Sequence, residues 1–247
     1  MELDTAASNV SVFVTPEQLA VAAAERFVHN ADEFQKAQGR FSVALAGGRT
    51  PRRVYELLAT AQFNTLVEWS RVHLFFGDER CVLPTHPDSN FAMVDKALIS
   101  KVEIPAKNVH RMTGEGDPEE NARLYENRLR EFFAQRDWPR FDLVLLGMGA
   151  DGHTASLFPE SRTLEETSRW VVATERAHSG QRRITLTVPA LSHAAHVIFL
   201  VTGKAKAAAL AEVLGGQSKR DRLPASLIRP VDGTLEWFVD RDAASFL

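Results

Sequence analysis

The chain of 247 residues is short of several things, and each shortage narrows what it can be. It holds one cysteine, Cys81, which rules out an internal disulfide framework and fits a reducing interior. It carries little net charge. The 29 Lys and Arg against 32 Asp and Glu leave −3, too small an imbalance to argue for nucleic acid or a membrane surface as partner. No apolar run approaches the roughly 18–20 residues of a spanning helix. The acidic start, "MELDTAASNV", lacks the charged-then-apolar pattern of a signal segment. The expected location is therefore the cytoplasm. Linker-like Gly/Ser/Pro tracts, repeats and low-complexity segments are missing too, so one domain over residues 1–247 is expected.

What is present is strong alternation. The runs "FSVALAG", "RVHLFFGD", "FDLVLLG", "RWVVAT", "RITLTV" and "HVIFLVTG" are short and mostly apolar, as strands covered on both faces should be. Helix-period segments lie between them. "PRRVYELLATAQF" puts Val54, Leu57, Leu58 and Ala61 on one face, and "DPEENARLYENRLREFF" does so with Ala122, Tyr125, Leu129, Phe132 and Phe133. Thr15-Pro16 with Gln18, and Asp117-Pro118 with Glu120, read as helix starts, and Gly215-Gly216 as a helix stop. The pattern predicts an α/β fold with a mostly parallel central sheet and helices on both faces. In such sheets ligands bind beyond the carboxyl ends of the strands, so the loops there are where function is sought.

Four loops carry chemistry. In "AGGRTPRR", Gly47, Gly48 and Thr50 precede a helix opened by Pro51, which makes an anion cradle of backbone N–H groups; the alternative is a tight turn capped by Thr50. In "FFGDERCVLPTHPDSNF", Asp78, Glu79 and Arg80 leave a strand end together, with Cys81 beside them as a thiol whose pKa Arg80 would depress. No histidine is placed by local spacing to serve that thiol, so a catalytic cysteine is not expected. "LLGMGADGHTASLFP" contains a literal Gly-x-Gly-x-x-Gly at Gly147, Gly149 and Gly152. The nucleotide reading needs a full helix after Gly152, but Pro159 leaves only a short turn of helix, and Asp151 would repel a pyrophosphate. What the loop offers instead is His153 with a carboxylate two residues away, a ready general base near neutral pH. The fourth group is cationic: Arg182 and Arg183 open one strand, and Lys204 and Lys206 follow another. His193 and His196 have the spacing of a metal pair, but no further ligands lie nearby and a structural role is expected.

Together "GGRTP", "FFGDERCVLPTHPDSN", "LLGMGADGHTASLFP", "RRITLTVPAL", "FLVTGKAKAAAL" and "PASLIRPVDGTLEWFVD" resemble the 6-phosphogluconolactonase family, from about Phe13 to Ala243. The resemblance implies hydrolysis of 6-phospho-D-glucono-1,5-lactone to 6-phosphogluconate, in the oxidative pentose phosphate pathway. It also implies the fold shared with glucosamine-6-phosphate deaminase and ribose-5-phosphate isomerase, with neither nucleotide nor metal. The substrate is then a small sugar-phosphate lactone, and the chain is expected to work as a monomer or weak dimer.

Carried onto this sequence, the resemblance gives His153 as the proton shuttle and Asp151 as the group that orients it. Asp78 becomes a secondary contributor that meets sugar hydroxyls or water. Gly47, Gly48 and Thr50 cradle the phosphate, and Arg80, Arg183 and Lys206 supply charge; Lys206 is taken over Lys204 because the family pattern is Gly-x-x-Lys counted from Gly203. Arg49 departs from the family's usual serine, and either adds a cation to the phosphate or points to solvent. Two rival readings share the cradle. One is an amino-sugar-phosphate isomerase or deaminase, against which "DGHTASLFP" argues. The other is a sugar-phosphate-sensing effector domain, which would need a DNA-reading module.

Overall fold

The first helix begins as its sequence predicts. The Thr15 hydroxyl accepts the Gln18 N–H at 3.2 Å, and the Gln18 side chain accepts the Val14 N–H at 3.1 Å, so two donors at the helix start are satisfied locally. Helix α1 (Pro16–Gln38) ends at Gly39, whose φ of 78 places it in the left-handed region favoured by glycine. The computed structural model describes residues 9–134, 136–176, 180–215 and 223–247. Its further helices are α2 (Arg49–Leu58), α3 (Ala61–Asn64), α4 (Asn90–Ala97), α5 (Pro118–Phe132), α6 (Val188–Ser192) and α7 (Ala207–Gly215). Gly216, half of the expected stop after α7, lies outside the described residues.

Strands β1 (Asn9–Phe13), β2 (Phe41–Leu45), β3 (Val72–Phe76), β5 (Leu143–Gly147), β8 (His196–Val201) and β9 (Thr234–Asp240) form one sheet. The order is β1-β9-β8-β5-β2-β3, and every pairing is parallel. All five residues of β2 are buried, as are Leu143–Leu146 of β5 and Val197–Val201 of β8. The continuous apolar runs are thus covered on both faces. Phe199 and Trp237 stack across β8 and β9 with centroids 3.9 Å apart.

Two sequence expectations need correction. "RWVVAT" and "RITLTV" do form strands, β6 (Val171–Arg176) and β7 (Gln181–Leu186), but not in the parallel sheet. With β4 (Asp78–Arg80) they make a separate antiparallel sheet, ordered β4-β7-β6. The reason is chain length: a parallel return needs about a dozen connecting residues, and far fewer separate Arg176 from Gln181. Helix α2 begins at Arg49, before Pro51, and ends at Leu58, where the Thr60 hydroxyl donates to Leu57 O at 2.6 Å. Ala61 consequently starts another helix and is exposed, while Val54, Leu57 and Leu58 are buried as expected. In α5 the Asp117 side chain accepts the Glu120 N–H, and Ala122, Tyr125 and Leu129 are buried.

The chain passes from the main sheet to the small one at Gly77. Its N–H donates to Leu45 O at 2.9 Å, and its carbonyl accepts from Leu186 N at 2.8 Å. That crossing delivers Asp78 to the carboxyl edge of the parallel sheet. From β2 the chain steps outward to β3, then returns on the other side of β2 as β5. The loops after β2 and β5 therefore face each other at a reversal of strand order, where this architecture opens a crevice.

His110 stacks on Phe75 with centroids 4.3 Å apart, and its Nε2 lies 3.2 Å from His73 Nδ1. Burial pulls the His110 imidazole down to about 4 from 6.5, helped by the charge of His73. Its neutral form is thus favoured by the fold, so the contribution is complete above 6.5 and is lost as pH falls toward 4. Thermal melting followed from pH 8 to 4 is expected to show a steeper decline in the unmodified protein than in His110→Gln.

Candidate active site

The loop after β2 is anchored from below. The buried Tyr55 hydroxyl accepts the Ala46 N–H at 3.0 Å and donates to Ala46 O at 2.9 Å, and burial pushes this phenol well above its ordinary range. Gly48, at φ 102, turns the chain so that α2 starts at Arg49 with its N-terminal N–H groups at the cleft. The Thr50 hydroxyl does not cap the helix; it lies 2.7 Å from Thr202 Oγ1 and ties this loop to the one after β8. In that second loop, Gly203 N–H donates to both oxygens of buried Asp240, at 2.9 and 3.1 Å. Lys206 N–H then returns to Gly203 O at 3.0 Å, which fixes the Lys206 backbone.

The loop after β5 is built around a missing side chain. Gly149 N–H donates to His153 O at 2.8 Å, and Gly152 N–H to Gly149 O at 3.1 Å. A Cβ on Gly149 would overlap both the His153 imidazole and the Asp151 carboxylate. With that space free, Asp151 Oδ1 sits 2.5 Å from His153 Nδ1. Burial raises the Asp151 carboxyl, but the His153 charge and hydrogen bonds outweigh it and hold it below its usual range. The short helix expected before Pro159 does not form. Residues 148–161 are turns with one isolated bridge, Thr154 to Leu157, and the Thr154 hydroxyl donates to Gly147 O at 2.8 Å. The nucleotide fingerprint therefore lacks the helix it needs.

These loops, β4 and β7 enclose a cleft of about 530 Å³. Gly47, Gly48, Arg49, Thr50, Asp78, Arg80, His153, Arg183 and Lys206 all line it. Asp151 stands behind His153. Asp78 is buried, with Oδ2 accepting from Ser156 Oγ at 2.6 Å and Oδ1 from Asn90 Nδ2 at 3.0 Å. Arg183 Nη1 lies 3.9 Å from Asp78 Oδ2, and its guanidinium sits over the Phe158 ring, 5.7 Å from the centroid. Phe158 in turn packs 5.2 Å from the His153 ring. Arg183 is thus at the His153 and Asp78 end of the cleft. Arg49 lies near Lys206: burial lowers the Lys206 ammonium, the Asp151 charge raises it, and Arg49 lowers it further. Arg80 donates through Nη1 to Asp88 O.

Glu79 turns the other way, into the protein. Its carboxylate accepts from Asn90 N, Phe91 N and Ser89 Oγ at 2.7 to 3.0 Å, holding the start of α4. Burial, the dominant influence, raises its carboxyl. Asn90 is a site residue that pattern reading passed over. Its carboxamide occupies the space a Cβ at Gly47 would need, which explains that glycine. Its only sequence signal is its position in "HPDSN", one residue past the Ser89 cap. Ser156, Thr202 and Asp240 were missed as well. The depression that Arg80 suggested for the Cys81 thiol is not found: burial pushes it up to about 11. His193 and His196 hold Pro189 O and the Thr234 hydroxyl, each at 2.7 Å. Among the described residues no three His, Cys, Asp or Glu side chains group as metal ligands.

A parallel α/β sheet with a cation-lined cleft and a His–Asp pair at its carboxyl edge has its site where this class of fold binds ligands. The chain belongs to the family described as glucosamine-6-phosphate isomerases/6-phosphogluconolactonase, whose profile matches residues 14–237. It is 41% identical to a 6-phosphogluconolactonase of Synechocystis sp. over 213 residues, 85% of this chain and 86% of that one. A 6-phosphogluconolactonase of Nostoc sp. is 40% identical over 242 residues, 96% and 98% of the two chains. Among solved structures, 6-phosphogluconolactonase from Trypanosoma cruzi superposes with a TM-score of 0.87 at 28% identity, covering 97% of both chains. A monomeric glucosamine-6-phosphate deaminase, 21% identical with a TM-score of 0.82 over 97% of this chain and all of that one, shares the fold.

The His153–Asp151 contact has a measurable signature. In His153→Gln the Asp151 carboxyl is expected to titrate at higher pH than in the unmodified protein, because burial then acts with less opposition. Carboxyl-carbon NMR across the acid range checks this, and an unmoved Asp151 would contradict the pairing.

Proposed function

We propose that the protein hydrolyses 6-phospho-D-glucono-1,5-lactone to 6-phosphogluconate, the second step of the oxidative pentose phosphate pathway. The observation that carries this reading is the Asp151–His153 pair, 2.5 Å apart, with His153 lining a cleft whose walls also hold Lys206 and Arg49. Relatives named 6-phosphogluconolactonase that match nearly the whole chain support it.

An ionised Asp151 accepts a hydrogen bond from Nδ1–H, which leaves Nε2 with its lone pair toward the cleft. Nε2 takes a proton from water as the water oxygen bonds to C1 of the lactone. The tetrahedral adduct collapses by breaking the bond from C1 to the ring oxygen, and the imidazolium returns its proton to that oxygen. The new carboxylic acid then ionises. General base catalysis of this type contributes about 10²- to 10⁴-fold. The phosphate is met by the start of α2, with Gly47, Gly48, Arg49 and Thr50, and by Lys206, with Arg80 alongside. Arg183 shares its charge with Asp78, so the main burden of phosphate charge falls on Lys206 and Arg49. Holding the phosphate at that end fixes C1 near the His153 water. The same proposal takes the chain as one domain that works in the cytoplasm as a monomer or weak dimer, without nucleic acid. Among the described residues no helix is long and apolar enough to cross a membrane.

His153→Asn is expected to cut kcat by about 10²-fold or more with KM little changed; near-normal turnover would remove His153 from the reaction. Gly149→Ala should show a kcat loss in the same direction while the protein stays folded, since its Cβ displaces the pair. Lys206→Ala is expected mainly to raise KM, by about tenfold or more, as loss of a charged contact to phosphate does. An unchanged KM would place the phosphate elsewhere.

A further inference from the structure

Ser156 is fully buried, and neither proton transfer nor phosphate binding uses it. Three observations nonetheless tie it to Asp78, which does line the cleft. Its hydroxyl donates to Asp78 Oδ2 at 2.6 Å, a short bond to a charged acceptor. Its N–H donates to Thr185 Oγ1 at 3.2 Å, and Thr185 is the residue opposite Asp78 in the β4–β7 ladder. The residue before it, Ala155, is held at φ 47, in the left-handed region that residues with a Cβ rarely adopt. Such an outlier persists only where surrounding contacts over-determine it. Here it lets one loop hold His153 at the cleft and, three residues on, Ser156 against Asp78.

Asp78 is fixed from the other side by Asn90, whose amide donates to the Asp78 carbonyl at 2.9 Å and to Oδ1 at 3.0 Å. A carboxylate held by a hydroxyl, an amide and a nearby guanidinium has one orientation, with its remaining lone pairs toward the cleft it lines. We propose that Ser156 is a positioning residue that, with Asn90, pins Asp78 as the acceptor for a ring hydroxyl of the sugar lactone. The loop that carries the base thereby also sets how the sugar ring is held. This rests on the lactonase reading and adds to it the part of the substrate that Asp78 recognises.

Steady-state kinetics of the unmodified protein, Ser156→Ala and Ser156→Cys test this with 6-phosphogluconolactone and with phosphorylated lactones lacking one ring hydroxyl each. Ser156→Ala is expected to lose about tenfold in kcat/KM on the parent lactone, chiefly through KM. On the lactone that lacks the hydroxyl held by Asp78, the variant and the unmodified protein should be equal. Ser156→Cys keeps a donor, though a weaker and bulkier one, and should fall between the two; it carries the test if the alanine variant does not fold. A folded variant with unchanged KM and kcat, or one that loses the same factor on every lactone, overturns the proposal. Failure of the unmodified protein to turn over the parent lactone overturns the lactonase reading and this role with it.

Discussion

The site depends on a side chain that is not there. Gly149 leaves the space in which Asp151 and His153 meet, and no other residue could stand at that point without separating them. The rest of the loop is arranged to keep the space open. The Gly149 and Gly152 amides close a tight turn, and the Thr154 hydroxyl secures it to the end of β5. The imidazole gains a carboxylate that fixes its tautomer, and the carboxylate gains a charge partner that outweighs its burial.

The parallel sheet supplies the opposite wall. Because β3 and β5 lie on different sides of β2, the loops after β2 and β5 diverge and leave a crevice between them. The start of α2 and the Lys206 loop meet there through the Thr50–Thr202 contact. Arg49, Lys206 and the His153 imidazole line this one crevice. The antiparallel sheet closes the crevice laterally and brings Asp78, Arg80 and Arg183 to it.

Local signals carried much of this. Apolar runs located β2, β3, β5 and β8, and the Thr15 and Asp117 caps set the starts of α1 and α5. His153, Asp151 and the Gly47-Gly48 turn were recognisable because their chemistry lies within a few residues along the chain. Periodicity could not say which sheet a strand joins, so β6 and β7 looked like members of the parallel one. Nor could it show β4, a strand of three polar residues whose pairing is set by β7. Ser156 and Asn90 were hidden for the same reason. Each reads locally as a polar residue near a turn, and each gains its meaning from Asp78, which lies 78 and 12 residues away in sequence. The Gly-x-Gly-x-x-Gly match was discounted on Pro159 and Asp151, and its glycines serve a turn and a His–Asp contact.

A cleft built to open a phosphorylated lactone by water attack should not release ammonia from an amino sugar. The direct measurement is the disappearance of 6-phosphogluconolactone, generated in situ from glucose 6-phosphate, with and without the protein. Ammonium is assayed in parallel on glucosamine 6-phosphate. Lactone loss well above the spontaneous rate and no ammonium are expected. Ammonium release with lactone loss at the spontaneous rate would contradict the lactonase reading.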